Sequence, residues 1–128
     1  IISGLVGSEM CIRDSLTTIL DQSTPHGLSV RLPALELLIG GHPRDLPKIA
    51  KLASPIYHVD ENDPPLLLIH GDQDLQMPIN QAHELHGVYM SKDLPVGFEV
   101  IYGSGHGGKA FYDEERMAIV DQFLRSRM

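Results

Sequence analysis

The chain is poor in several things that would narrow its class quickly. It has no tryptophan, and aromatic residues make up only 5% of its 128 residues. It has a single cysteine, Cys11, so an internal disulfide is impossible and a disulfide-stapled secreted scaffold is excluded. Lys and Arg number 10 against 17 Asp and Glu, giving a formal net charge of −7. A surface short of clustered cations is a poor match for nucleic acid or an anionic membrane face. No apolar run approaches the roughly 20 residues that a membrane-spanning helix needs. What is present is a 42% hydrophobic content. That is enough for a packed core and argues against a disordered chain.

The first residues, I-I-S-G-L-V-G-S-E-M-C-I-R-D-S, lack the basic front and unbroken apolar stretch of a signal peptide. The stretch V-G-S-E-M-C-I-R-D-S resembles a translated sequencing-adapter read-through. Residues 1–15 are therefore expected to be an artefactual or disordered terminus with no part in the fold, and Cys11 within them is not expected to act as a catalytic thiol. The chain also opens without Met, as expected of a truncated product.

No internal repeat or low-complexity tract interrupts the remainder. Residues 16–30 carry a mixed pattern with turn-like signals at Ser23-Thr24-Pro25 and His26-Gly27. Residues 33–39 read as a short helix with Pro33 in its first turn and Gly40-Gly41 as its stop. Residues 45–53 read as another, ended by Ser54-Pro55. Short helices separated by Pro and Gly suggest that residues 16–53 form a cap-like segment.

Residues 54–128 are more regular. Leu66-Leu67-Leu68-Ile69 is a short apolar run bounded by turn signals, as in a parallel-sheet strand buried on both faces. Residues 79–91 read as a helix burying Ala82, Leu85, Val88 and Tyr89. Residues 98–102 read as a second strand. Asp113 is placed to cap a helix that runs to Arg125, with Val120, Phe123 and Leu124 facing inward. The order strand, helix, strand, helix predicts an α/β fold with parallel strands. The loops that follow the two strands then leave the same edge of the sheet, where ligands bind in open α/β folds.

Those loops read His70-Gly71-Asp72-Gln73-Asp74-Leu75-Gln76-Met77-Pro78 and Gly103-Ser104-Gly105-His106-Gly107-Gly108. A carboxylate held against one imidazole nitrogen fixes the tautomer and stabilises the protonated ring. Such a ring can take a proton from a hydroxyl nucleophile and return it to a leaving group. Asp74 is the expected acid and His106 the expected base, with glycines leaving the ring uncrowded. Simpler roles exist for each. Asp74 could form only an Asx-turn or cap the helix near Pro78. Asp72 could replace it as the acid, but is expected to be a turn former bonding nearby amides. His106 could be a solvated loop residue, and His70 is expected to bond within its loop. His83-Glu84-Leu85-His86 has its histidines three apart, not the four of the zinc-protease helix, and reads as a solvated helix face. Asp113-Glu114-Glu115 reads as an acidic helix start. Met77 and Met90 read as core or pocket wall.

The stretch from Pro65 to Asp74, followed by Met77-Pro78 and Gln81, resembles the acid-bearing segment of α/β-hydrolases, and Gly105-His106-Gly107 resembles their base-bearing loop. Ala53-Ser54-Pro55 ahead of the strand fits as well. The nearest resemblance is to esterases and lipases akin to feruloyl and acetyl-xylan esterases, with prolyl-oligopeptidase-type peptidases as relatives. It extends over residues 16–128, and the order acid then His matches the order Ser, acid, His of that fold. The resemblance implies a serine hydrolase of small-molecule carboxylic esters that needs no metal or organic cofactor. It also implies a nucleophile in Gly-x-Ser-x-Gly, and no serine here has Gly on both sides at that spacing. Ser29 and Ser104 lack the elbow. The expectation is therefore a C-terminal fragment of a parallel-sheet α/β-hydrolase fold, its nucleophile, oxyanion donors and remaining strands lying upstream, inactive alone. The alternatives are a fragment of a peptidase of the related type and a non-catalytic binding module, which could hold a partner or a metal through His83 and His86.

Overall fold

A computed structural model describes residues 14–127. Its elements run α1 (Ile19–Gln22), α2 (Pro25–Ile39), α3 (Pro47–Leu52), a 3₁₀ turn (Pro55–Tyr57), β1 (Leu66–Gly71), α4 (Ile79–Ser91), β2 (Val96–Ile101), a second 3₁₀ turn (Lys109–Phe111) and α5 (Glu114–Arg125). β1 and β2 pair in parallel, from Leu66 opposite Val96 to Gly71 opposite Ile101, with α4 as the connection. Both strands thus end together, and the loops after Gly71 and Ile101 leave one edge of the sheet as expected.

Two apolar clusters hold these elements. Leu66 and Leu68 of β1 and Val96 and Phe98 of β2 meet Ala82, Leu85 and Tyr89 of α4. Val88 is only half-buried, and fully buried Gln81 takes the place beside Ala82. Leu67 and Ile69 are half-buried too, so β1 is not enclosed on both faces by the described residues. The second cluster joins Leu16, Ile19 and Leu20 to Leu35, Ile39, Ala50 and, from the acid loop, Met77. The segment 16–53 therefore packs around a side chain that follows Asp74 by three positions. Met90, expected inside, is 59% exposed on the outer side of α4.

The main departure from the sequence reading is α2. It begins at Pro25, not Pro33, and runs unbroken through Pro33. Thr24 caps it by accepting from the Gly27 amide, and Pro25 takes the first helical position, where a missing N–H costs nothing. The signals read as a turn are a helix start. Pro33 sits in the interior and leaves the Ser29 carbonyl without its helical donor. Gly40 ends the helix in a left-handed conformation (φ 85°). Asp14 and Ser15, set aside with the terminal segment, are buried at 1% and 0% exposure. The Ser15 amide donates to Gln81 Oε1 at 2.8 Å, and the Leu16 amide to Ser54 Oγ at 2.8 Å. The rest of the suspected artefact, Cys11 included, lies outside the described residues.

β2 starts two residues earlier than expected and ends at Ile101, which leaves Tyr102 82% exposed in the loop. α5 matches its expected bounds, with Asp113 accepting from the Arg116 amide at 2.9 Å. Arg116 ties its first turn to Glu99 of β2 at 3.5 Å. Val120, Phe123 and Leu124 are half-buried, and no α5 residue is fully buried.

Candidate active site

The two loops at the strand ends are fastened to each other through the backbone. The Asp72 amide donates to the Ile101 carbonyl at 3.3 Å, and the Gln73 amide to the Ser104 carbonyl at 2.9 Å. Asp72 Oδ1 accepts from the Gly103 amide at 2.7 Å. Asp72 thus bonds a backbone amide, but that amide belongs to the neighbouring loop, so the side chain fastens the two loops together where a local turn was expected. Gly71 is where the loops come closest: a Cβ there would overlap the carbonyls of Ser104 and Gly105. A side chain at position 71 would push the acid loop and the histidine loop apart.

Within this frame Asp74 does two things at once. Oδ1 accepts from the amides of Gln76 (2.9 Å) and Met77 (2.8 Å). Oδ2 lies 2.8 Å from Nδ1 of His106. The Asx-turn and the contact with His106, alternatives in the sequence reading, are made by the two oxygens of one carboxylate. The turn is what aims the second oxygen, and the Asp74 side chain is only 4% exposed. His70, at the end of β1, donates from Nε2 to the Met77 carbonyl at 3.0 Å and approaches Asp74 Oδ2 at 3.3 Å. It bonds within its loop, as expected, and forms a second wall of the carboxylate's pocket.

The other nitrogen of His106 meets a residue the sequence reading did not identify. Nη2 of Arg31, on α2, lies 3.2 Å from Nε2. A guanidinium has donors only, so Nε2 accepts and Nδ1 carries the ring hydrogen that Asp74 receives. That is the tautomer a general base needs. The same Nη2 donates to Gln76 Oε1 at 3.0 Å. Asp74, His106, Arg31 and Gln76 therefore close a ring of hydrogen bonds, since the Gln76 amide returns to Asp74. α2 reaches the ring because its first turn rests on the acid loop. Thr24 Oγ1 bonds the Leu75 carbonyl at 3.3 Å, and a Cβ on Gly27 would lie only 2.8 Å from that oxygen.

The other candidates lie elsewhere. Ser29 is exposed and donates to the His26 carbonyl at 2.8 Å. Ser104 serves the loop through its backbone. The 83–86 stretch is more than a solvated face. Glu84 accepts from Thr18 and Gln22, each at 2.8 Å, and the rings of His83 and His86 lie 4.8 and 5.5 Å from that of Phe98. Among the described residues no group of three His, Cys, Asp or Glu side chains could hold a metal ion. No helix is long and apolar enough to cross a membrane among them.

Known proteins resemble this chain in sequence and fold. The family model of BD-FAE matches residues 14–89, which include Asp74 and Arg31 and stop short of His106. Esterase LipC of Mycobacterium tuberculosis is 40% identical over 65 residues, covering 48% of this chain and 15% of that protein. Among solved structures, a truncated carbohydrate esterase from gut microbiota is 34% identical with a TM-score of 0.63, over 68% of this chain and 30% of that one. A bifunctional GH43-CE protein of Bacteroides eggerthii is 32% identical with a TM-score of 0.58, over 69% and 12%. The thermophilic esterase Est2 of Thermogutta terrifontis, at 19% identity and a TM-score of 0.57 over 74% and 34%, shares the fold. The chain spans less than two fifths of any of these relatives. A parallel strand pair with α4 between its strands, esterase neighbours of the α/β-hydrolase type, and a family match over more than half its length place the chain in the BD-FAE family.

Proposed function

We propose that this chain is the acid- and base-bearing part of a serine carboxylic-ester hydrolase whose nucleophile lies in upstream sequence. One observation carries this reading: a nearly buried carboxylate holds Nδ1 of an imidazole at 2.8 Å while the ring's other nitrogen is in the accepting state. In that state His106 takes the serine proton as Oγ attacks the ester carbonyl, and hands it to the departing alcohol. It then deprotonates the water that releases the acid from the acyl-enzyme. Asp74 keeps the ring oriented and stabilises the imidazolium between those transfers. No metal or organic cofactor takes part. Residues 16–53 form a cap-like segment that brings Arg31 to the base and borders the substrate.

The relatives named as esterases favour an ester over a peptide substrate. The test is the upstream reading frame. It should encode Gly-x-Ser-x-Gly between a predicted strand and a predicted helix, and joining it to this chain should give an esterase that His106→Ala inactivates. An intact upstream frame with no such elbow would sink the proposal. The 128-residue chain alone should not turn over an activated ester. Turnover that disappears in His106→Ala would reveal a nucleophile within it and overturn the fragment reading.

A further inference from the structure

We propose that Arg31 is a positioning residue of the Asp74–His106 pair: its guanidinium covers the His106 nitrogen a hydroxyl nucleophile must reach, and holds the ring in the tautomer that can act as base. The inference rests on the reading of these two residues as acid and base, and adds to it a group that controls access to the base.

The contact is built from several directions. Arg31 Nη2 faces His106 Nε2 at 3.2 Å and Gln76 Oε1 at 3.0 Å, so both hydrogens of that nitrogen are directed into the site. Gln76 is fixed in turn because its amide is held by Asp74. On α2 the residue lies one helical turn after Gly27 and one before Leu35, both buried. Gly27 lets the helix settle on the Leu75 carbonyl, and Leu35 packs with Met77 in the core. The helix is thus anchored on the acid loop on either side of Arg31, and a long flexible side chain is aimed from a rigid base. Nε2 has one lone pair in the plane of the ring, so it accepts from Arg31 or from a nucleophile hydroxyl but not well from both. Proton transfer from a nucleophile therefore requires Arg31 to give up its bond to His106. Its bond to Gln76 gives it a place to remain beside the base.

Diethyl pyrocarbonate tests this on the chain as it stands, because it carbethoxylates an unprotonated, accessible imidazole nitrogen. The rate at each histidine is read by peptide mass spectrometry at neutral pH. In Arg31→Met, which keeps the apolar stem and removes the donors, His106 should react roughly three- to tenfold faster, the range one net hydrogen bond supports. Exposed His26 and His83 should keep their wild-type rates, and buried His70 should stay protected. Arg31→Lys, which keeps a cation and a donor, should return His106 towards the wild-type rate. A wild-type His106 rate in Arg31→Met with His70 still protected would overturn the proposal. If Arg31→Met exposes His70, and so has lost the fold, Gln76→Leu decides. It frees the guanidinium from its second anchor and should raise the His106 rate by a smaller factor, and no rise there would equally overturn the proposal. The reagent reports access to Nε2 whether or not any ester is cleaved, so failure here is separable from failure of the hydrolase reading.

Discussion

Asp74 binds His106 through one carboxylate oxygen and its own loop through the other, at 2.8 Å to Nδ1 on one side and 2.8 Å to the Met77 amide on the other. The two roles separate by substitution. Asp74→Asn can keep a carbonyl oxygen towards the Gln76 and Met77 amides, but it then turns an NH₂ group towards His106 and His70. Nδ1 can no longer donate, so the ring shifts its hydrogen to Nε2 or rotates. Asp74→Ala removes both contacts and leaves the part-buried amides of Gln76 and Met77 without their acceptor, at a cost of about 1–3 kcal/mol for each that stays out of water. We expect Asp74→Asn to be less destabilised in urea than Asp74→Ala, while both lose the Nδ1–H signature in nitrogen-15 spectra of the His106 ring. Equal destabilisation by the two would show that Oδ1 does not hold the loop.

Asp72 and Gly71 hold the two loops together without touching the His106 ring. Asp72→Ala gives up one solvent-exposed bond to the Gly103 amide, worth about 0.5–1.5 kcal/mol. Gly71→Ala is more severe, because the obstacle is the backbone of Ser104 and Gly105 and not a side chain that could turn away. It should cost more than Asp72→Ala and shift the amide resonances of residues 72–74 in its own loop and 103–106 in the histidine loop. Thermal unfolding of the two variants side by side checks the order, and a Gly71→Ala protein as stable as the parent would show that the loops can part freely.

Much of this arrangement is legible from local pattern. The bounds of α4 and α5, the cap at Asp113 and the two loops that carry Asp74 and His106 follow from apolar spacing and short-range chemistry, which act within a few residues. What escaped is what tertiary contact decides. The sequence offers two proline-led starts, at Pro25 and Pro33, and the Thr24 cap together with the fit of Gly27 against Leu75 favours the earlier one. Arg31 was invisible for the same reason. Once the helix is taken from Pro25, Gly27, Arg31 and Leu35 fall on one buried stripe, and a cation in such a stripe is the signal that would have identified it. Its partner His106 is 75 positions away, with no local motif joining them. The paired contacts of Asp74 are not legible locally either, because one carboxylate can serve its own loop and a distant imidazole through different oxygens.

Tyr89 gives the fold an alkaline limit. Burial raises its phenol above the usual tyrosine range, and the negative charge of Asp63 adds to this. Its hydroxyl donates to the Pro64 carbonyl at 3.2 Å, ahead of β1. Below a pH of about 10 the phenol is protonated in both folded and unfolded chains, and its contribution to stability is complete. Above that, the unfolded chain releases the proton first, so the unfolded state binds fewer protons and stability falls as pH rises towards the folded-state value. Tyr89→Phe should therefore be less stable than the parent at neutral pH, by about 1 kcal/mol for the lost hydrogen bond. The gap should narrow through pH 10 and above. Urea unfolding of both proteins across that range is the measurement, and a gap that stays constant would mean that Tyr89 does not titrate differently in the two states.

Gln81 ties the start of the described chain to the sheet layer. Its side chain is fully buried, accepting from the Ser15 amide at 2.8 Å and donating to Gln22 Oε1 at 2.6 Å. Gln81→Leu has a similar volume but leaves the Ser15 amide and the Gln22 carbonyl without partners, which costs about 1–3 kcal/mol for each group that stays dry. Gln81→Glu should be worse. It keeps an acceptor for Ser15 but turns a second oxygen on Gln22 Oε1, with Glu84 close by on the same network, and so buries an unpaired charge. Urea unfolding should rank the parent above Gln81→Leu and Gln81→Leu above Gln81→Glu. Limited proteolysis should cut ahead of Leu16 sooner in both variants, because the Ser15 amide loses its anchor in each or gains it only beside a misplaced charge. Arg31 sits near the middle of α2, nine residues beyond Gln22, and bonds Gln76 and His106 outside this network, so carbethoxylation of His106 should remain at the parent rate in Gln81→Leu. If it rises with the proteolysis, residues 14–22 and the base are held by one cooperative unit and not by two.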